Sequence, residues 1–321
     1  MSAATVVMYH IVQPAGSGVL ASLKGRSRGE FLEQIRYIKR HYSVVPLLDL
    51  AAAADGIATL PPRAIALTFD DGYASHARVA APMLADAGMP ATFFPVASAL
   101  MNRSVLNVNK IQCILAVADV DVITASIDAA IERQGGKPVA DYRREWHKPS
   151  RWDSAEVVYV KRLLQHALPE SVREPLVDEL FRTHVTSDER ALADELYMTV
   201  AEARDLVAAG MTIGAHADRH IRLPTLSRED QAAEIDGALT VLDAVGTRRT
   251  GFAFSYANGE FNAASIELLR ARGCAAAVST RAELATIHAG AILALPRIDT
   301  NDLPVRADAP PNHWTLRARG D

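Results

Sequence analysis

The chain has 321 residues, 49% of them hydrophobic, and a formal net charge of −4. This is enough apolar material for a large core, and there is no basic excess of the kind a nucleic-acid-binding surface needs. Cys113 and Cys274 lie far apart without metal-ligand spacing and read as reduced core residues.

The opening MSAATVVMYHIV lacks a positively charged leader region, and its apolar stretch is too short for a signal peptide or a spanning helix. The expected location is therefore the cytoplasm, with no transmembrane segment. VVMYHIV (6–12) reads as a strand with Val6, Met8, His10 and Val12 on one face, which puts His10 near its C-terminal end. Ser27 and Glu30 form a capping box before FLEQIRYIKRHY. Strand-like runs follow at AIALTF (64–69) and ATFFPVA (91–97).

From residue 101 to residue 198 the patterns are mainly helical, as in VITASIDAAIE, VVYVKRLLQHAL and SVREPLVDELF. Thr199 and Glu202 form a second capping box, and strand-like runs resume at MTIGAHA (211–217), GFAFSY (251–256), AAAVS (275–279) and ILALPRI (292–298). Strands alternating with helices imply a parallel sheet, open or closed into a barrel. The expected organisation is one α/β domain over 1–321 with a helical insertion at 101–198.

Asp70 and Asp71 stand side by side at the end of an apolar strand. Adjacent carboxylates repel, and the C-terminal ends of strands in α/β proteins are where ligands sit, so a cation is the first candidate partner. GAHADRH (214–220) offers His216 and His220 four residues apart. At that spacing two imidazoles can converge on one ion, or can simply be surface or core residues; the acid pair closing another strand tips the balance toward metal. One Asp and two His leave a coordination position open for water and substrate.

TFDDG (68–72), GAHADRH (214–220) and FAFSYANG (252–259) together resemble the metal-dependent polysaccharide deacetylases of carbohydrate esterase family 4, the NodB-homology group. The resemblance covers residues 5–100 and 199–303 and leaves the insertion unexplained. It implies a distorted (β/α) barrel that hydrolyses an acetyl group, usually the N-acetyl of an amino sugar. It also implies that Asp71, His216 and His220 bind a divalent metal, Zn2+ first and Co2+, Ni2+ or Mn2+ as options, with Asp70 as general base. Tyr256 matches the family tyrosine whose backbone N–H helps hold the oxyanion, and Tyr73 is a candidate for lining the substrate groove.

Two departures stand out. Ala253 occupies the position where the family commonly carries an arginine, and no Leu-x-His closes the chain. The arrangement is similar to that of circularly permuted deacetylases, in which the strand bearing the catalytic histidine opens the chain; His10 would then be the general acid. In LPRIDTND, Leu295, Arg297 and Asp299 share one side of a strand, so Arg297 can orient Asp70 and Asp299 can hold the His10 ring. A solvated ion pair is the plainer alternative. His76, His147, His166, His184 and His288 read as surface or core residues, and nothing in the spacing of Trp152 and Trp314 marks them for sugar stacking.

The expected activity is a metal-dependent N-deacetylase, a hydrolase of a non-peptide C–N bond. Its expected partner is an acetylated amino sugar or glycan precursor bound for a surface polysaccharide. The alternatives are an amidohydrolase for a non-sugar amide using the same site, and a carbohydrate-binding protein that has lost turnover.

Overall fold

Strands rich in Val, Ile, Ala and Phe on both faces belong in a parallel sheet covered on each side, and AIALTFDD is buried at every position. The structure, a computed structural model, describes residues 2–13, 19–150 and 153–320, so Trp152 lies outside the described residues. Seven strands build the frame: β1 (Ser2–Tyr9), β2 (Ala64–Asp71), β3 (Thr92–Pro95), β4 (Thr212–Ile213), β5 (Phe252–Ser255), β6 (Cys274–Val278) and β7 (Ile298–Asp299).

Their pairings are all parallel and return to the start. β1 pairs with β2 from Thr5 opposite Ile65 to Tyr9 opposite Phe69, β2 with β3, and β3 with β4. The chain beyond β4 bridges Ala215 to Phe254, β5 pairs with β6, Val278 bridges Leu295, and β7 pairs with β1 at Val7 opposite Ile298. The ring is a distorted barrel, because two of its links are single bridges. β1, first in the chain, lies between the last strand and the strand ending in the acid pair.

Several expected strands are shorter than their apolar runs, as at Thr92–Pro95 and Phe252–Ser255, and two shrink to two residues. MTIGAHA is regular only over Thr212–Ile213, and Gly214 packs so closely that an added Cβ would stand 2.4 Å from the Phe94 ring. In ILALPRI, residues Ile292–Ala294 form a 3-10 turn and Pro296 precedes the short β7; proline has no N–H to give a ladder. Both capping boxes are present, at Ser27–Glu30 before helix Arg28–His41 and at Thr199–Glu202 before helix Val200–Ala208.

The chain divides into two compact units. The first comprises residues 1–15, 25–104 and 194–321 and contains the ring. The second, residues 16–24 and 105–193, is helical, with helices such as Asn107–Val117, Val120–Gln134 and Glu170–His184 packed around Ile111, Ile114, Ile127, Val177 and Phe181. Within it the nearly buried Lys110 is paired with Asp178 at 2.7 Å and Glu189 at 3.0 Å. Cys113 is buried and free; Cys274 is free and half-buried rather than a full core residue.

Candidate active site

Along a regular strand successive side chains point to opposite faces, so Asp70 and Asp71 ought to diverge. The backbone at Asp71 instead turns left-handed, with φ 73°, and Gly72 follows at φ 73°. That turn breaks the alternation at the end of β2. A Cβ on Gly72 would lie 2.6 Å from Pro95 Cβ, so the close passage against β3 requires glycine. Ala217 at φ 57° and His220 at φ 62° repeat the left-handed geometry in the second motif. Each such non-glycine residue costs on the order of 1 kcal/mol, and clusters of them mark sites held in shape by their surroundings.

Asp71 splits its two oxygens between two tasks. Oδ2 accepts the Tyr73 hydroxyl at 2.9 Å. Oδ1 is buried without a hydrogen-bond partner, 3.4 Å from His216 Nε2 and 3.4 Å from His220 Nε2. His216 donates Nδ1–H to the Ser255 carbonyl at 2.8 Å, which turns its Nε2 toward Asp71 as the site for either a proton or a cation. The three ligand atoms lie within 4.8 Å of one another. An orphaned carboxylate oxygen facing two imidazole nitrogens is a donor set that fits a divalent cation, and its N/O composition suits zinc.

Asp70 is held differently. Arg297 donates Nη1 to Asp70 Oδ1 at 2.9 Å and Nη2 to Oδ2 at 2.6 Å, and both residues are almost fully buried. Arg297 is itself fixed by Nε to the Ser279 carbonyl at 2.8 Å and Nη1 to Thr68 Oγ1 at 3.1 Å, while Thr68 donates to the Val7 carbonyl. Ser255 Oγ touches both partners, at 3.3 Å from Asp70 Oδ2 and 3.2 Å from Arg297 Nη2. Arg297 thus reaches Asp70 from 227 residues away along the chain.

The charges follow from these contacts. Burial opposes ionisation of Asp70, but Arg297 together with His216 and His10 outweighs it and brings the carboxyl down to about 2. Burial also opposes ionisation of Asp71, and His216 and His220 override it, holding the carboxyl far below its ordinary range. At His216 burial disfavours the imidazolium, yet Asp71 and Asp70 raise the pKa above the usual histidine value. At His220 burial prevails and lowers the pKa to about 4.

His10 lies just past the end of β1, half-buried, and its charge acts on Asp70, Asp71 and His220. Its carbonyl accepts Nε2–H of His76 at 2.6 Å. His76 is wholly buried in the first unit, edge-on to Phe69 and Tyr73, and burial lowers its pKa to about 4.

Three sequence expectations are corrected by these contacts. The Tyr256 N–H donates to the Val278 carbonyl at 3.1 Å, so it continues the β5–β6 ladder rather than pointing at an oxyanion; the Tyr256 hydroxyl donates to the Leu293 carbonyl. Tyr73 is 2% exposed and supports Asp71 instead of lining a groove. Asp299 caps the Thr300–Asp302 turn, accepting from the Asn301 amide at 2.8 Å, and takes no hydrogen bond from His10 among the described residues. Ser255 and His76 were not singled out for this site by sequence. Ser255 lies inside a quoted motif; His76 carried no signal beyond its place five residues after Asp71.

A profile of the polysaccharide deacetylase family matches residues 58–116 and 182–277. Among curated protein sequences none matches the chain. Among solved structures, the Streptococcus pyogenes deacetylase PplD in complex with acetate is similar at 15% identity and TM-score 0.57, over 94% of this chain and 93% of that one. IcaB from Ammonifex degensii is similar at 17% identity and TM-score 0.57, over 99% and 98%. A de-N-acetylase from Aggregatibacter actinomycetemcomitans is similar at 16% identity and TM-score 0.54, over 98% and 99%. At these identities the likeness is one of fold.

Proposed function

Because the chain belongs to the polysaccharide deacetylase family, we propose that it is a divalent-cation-dependent hydrolase that removes the N-acetyl group from an amino sugar in a glycan or glycan precursor. The observation that carries this reading is the unpartnered, buried Asp71 Oδ1 facing His216 and His220, beside a second acid kept ionised by Arg297.

Asp71, His216 and His220 would hold the cation, Zn2+ before Co2+, Ni2+ or Mn2+. When bound, such an ion supplies Lewis acidity and makes water acidic enough for a weak base to deprotonate. Asp70, with its carboxyl at about 2, is that weak base: ionised at every working pH and fixed in orientation by Arg297. It takes the proton of the attacking water. Ser255 Oγ and Arg297 hold the oxygens of Asp70 so that the carboxylate does not rotate away. His10, within electrostatic reach of both acids, gives a proton to the departing amine, and His76 fixes the backbone that presents it.

The test is acetate release from N-acetylated oligosaccharides by the purified chain, before and after chelation and after return of Zn2+ or Co2+. Release that chelation abolishes and the cation restores is the expected result. Hydrolysis confined to non-sugar amides would move the assignment to a different amidohydrolase, and sugar binding without any release would make it a binding protein.

A further inference from the structure

His216 and His220 flank a three-residue loop, and the chain grips that loop from two sides. Helix Arg228–Ala244 presents Glu234 and Gly237 on one face. Glu234 is 1% exposed; its Oε2 accepts the backbone N–H of Asp218 at 3.1 Å and of Arg219 at 3.0 Å, and its Oε1 accepts Arg219 Nε at 2.6 Å. A carboxyl group is buried that deeply only where hydrogen bonds satisfy it, and here two of the donors are the loop's own amides.

Gly237 adds a second, independent contact. A Cβ there would stand 2.7 Å from Asp218 Cγ, so the helix backbone lies directly against the Asp218 side chain. From the other side, the first turn of helix Ala97–Met101 donates Ser98 N–H to the Asp218 carbonyl at 2.9 Å and Ala97 N–H to the Ala217 carbonyl at 3.4 Å. The loop's amides and carbonyls are therefore engaged in opposite directions. Ala217 and His220 are held left-handed, a backbone state that side chains disfavour and that persists only under such constraint.

We propose that Glu234, seconded by Gly237, is a positioning residue that sets the separation and aim of the His216 and His220 rings. The inference rests on the reading that those rings hold a cation. Glu234 touches neither ring; it acts through the amides of Asp218 and Arg219. Glutamine keeps only one acceptor oxygen, so its NH2 must face either the two loop amides or Arg219 Nε; in either orientation a donor meets a donor and the three-bond clamp is lost.

The experiment uses the full chain, freed of metal and titrated with Co2+ alone, followed by visible absorption and by amide hydrogen exchange. Glu234→Gln should raise the Co2+ Kd about tenfold or more, the usual cost of losing a group that orients a ligand. It should also alter the Co2+ absorption bands and speed exchange at residues 218 and 219, with the far-ultraviolet circular dichroism unchanged. Gly237→Ala, which pushes Asp218 away by a different route, should shift the same bands. If Glu234→Gln binds Co2+ with the parent's affinity and spectrum, the proposal is overturned even where the melting temperature falls. If the parent takes no Co2+, the cation reading itself fails, and unchanged exchange at 218 and 219 in the metal-free variant would then remove the clamp as well.

Discussion

Arg297 meets Asp70 as a bidentate pair, Nη1 to Oδ1 at 2.9 Å and Nη2 to Oδ2 at 2.6 Å, with exposures of 1% and 2%. Paired charges so far from water are costly to separate, since removing one leaves the other buried and uncompensated.

Arg297→Ala should therefore lower stability by about 3–5 kcal/mol, read by urea unfolding at neutral pH. Asp70 has a folded pKa of about 2 against an ordinary 3.8, so its contribution is present above pH 3.8 and lost as pH falls toward 2. In the variant burial acts unopposed by the guanidinium, so this acid transition should move to higher pH. Unaltered acid unfolding would separate Arg297 from the ionisation of Asp70.

The two acids should behave differently on substitution. Asp70→Asn is expected to keep one equivalent of Zn2+ or Co2+ and lose most deacetylation, whereas Asp71→Asn, His216→Ala and His220→Ala should lose the cation as well. Metal content by mass spectrometry alongside acetate release distinguishes them. A metal-free Asp70→Asn with a metal-loaded Asp71→Asn would reverse the roles.

Cation binding should release a proton. In the metal-free chain His216 carries a raised pKa because a proton there answers the charge of Asp71 and Asp70, while His220, at about 4, is already neutral near pH 7. A ligating imidazole must be neutral, so affinity for Co2+ should rise with pH through the His216 transition. Calorimetry in buffers of different ionisation enthalpy reads the proton count; an affinity flat with pH would contradict this.

His10→Ala should retain the cation and lower kcat by about a hundredfold or more, in line with the loss of an acid–base group. Activity at the parent's level would point to water or another side chain as the proton donor.

His76 should make the metal-free protein sensitive to mild acid. Its folded pKa of about 4 lies below the ordinary 6.5, so the unfolded chain binds the extra proton first. The neutral ring's contribution is full above pH 6.5 and is lost as pH falls toward 4, by about 3 kcal/mol over that span. His76→Gln keeps an N–H for the His10 carbonyl but cannot titrate, so its stability should vary less with pH over the same range. Parallel profiles for the two proteins would show that another group carries the effect.

Local patterns in the sequence were enough for whatever a few neighbouring residues decide. The capping boxes at Ser27 and Thr199, the buried run ending at Asp71 and the His216–His220 spacing are short-range features, and they reappear in the structure. The alternation of strands with helices carried the parallel α/β fold, and the resemblance of TFDDG, GAHADRH and FAFSYANG to a family carried its closure into a distorted barrel. Strand alternation, by contrast, gave Asp299 to His10, the family resemblance gave Tyr256 N–H to an oxyanion, and both failed for the same reason. The partner of a backbone N–H or a carboxyl is chosen by the register of a neighbouring strand or turn: Val278 across the β5–β6 ladder for Tyr256, the Thr300–Asp302 turn for Asp299. Arg297 reaches Asp70 across 227 residues of sequence, and Glu234 reaches the histidine loop from a separate helix. Closure of the ring and packing of helices on it decide such meetings, because hydrogen bonds and burial act between neighbours in space, and a one-dimensional pattern records only which residues are near along the chain.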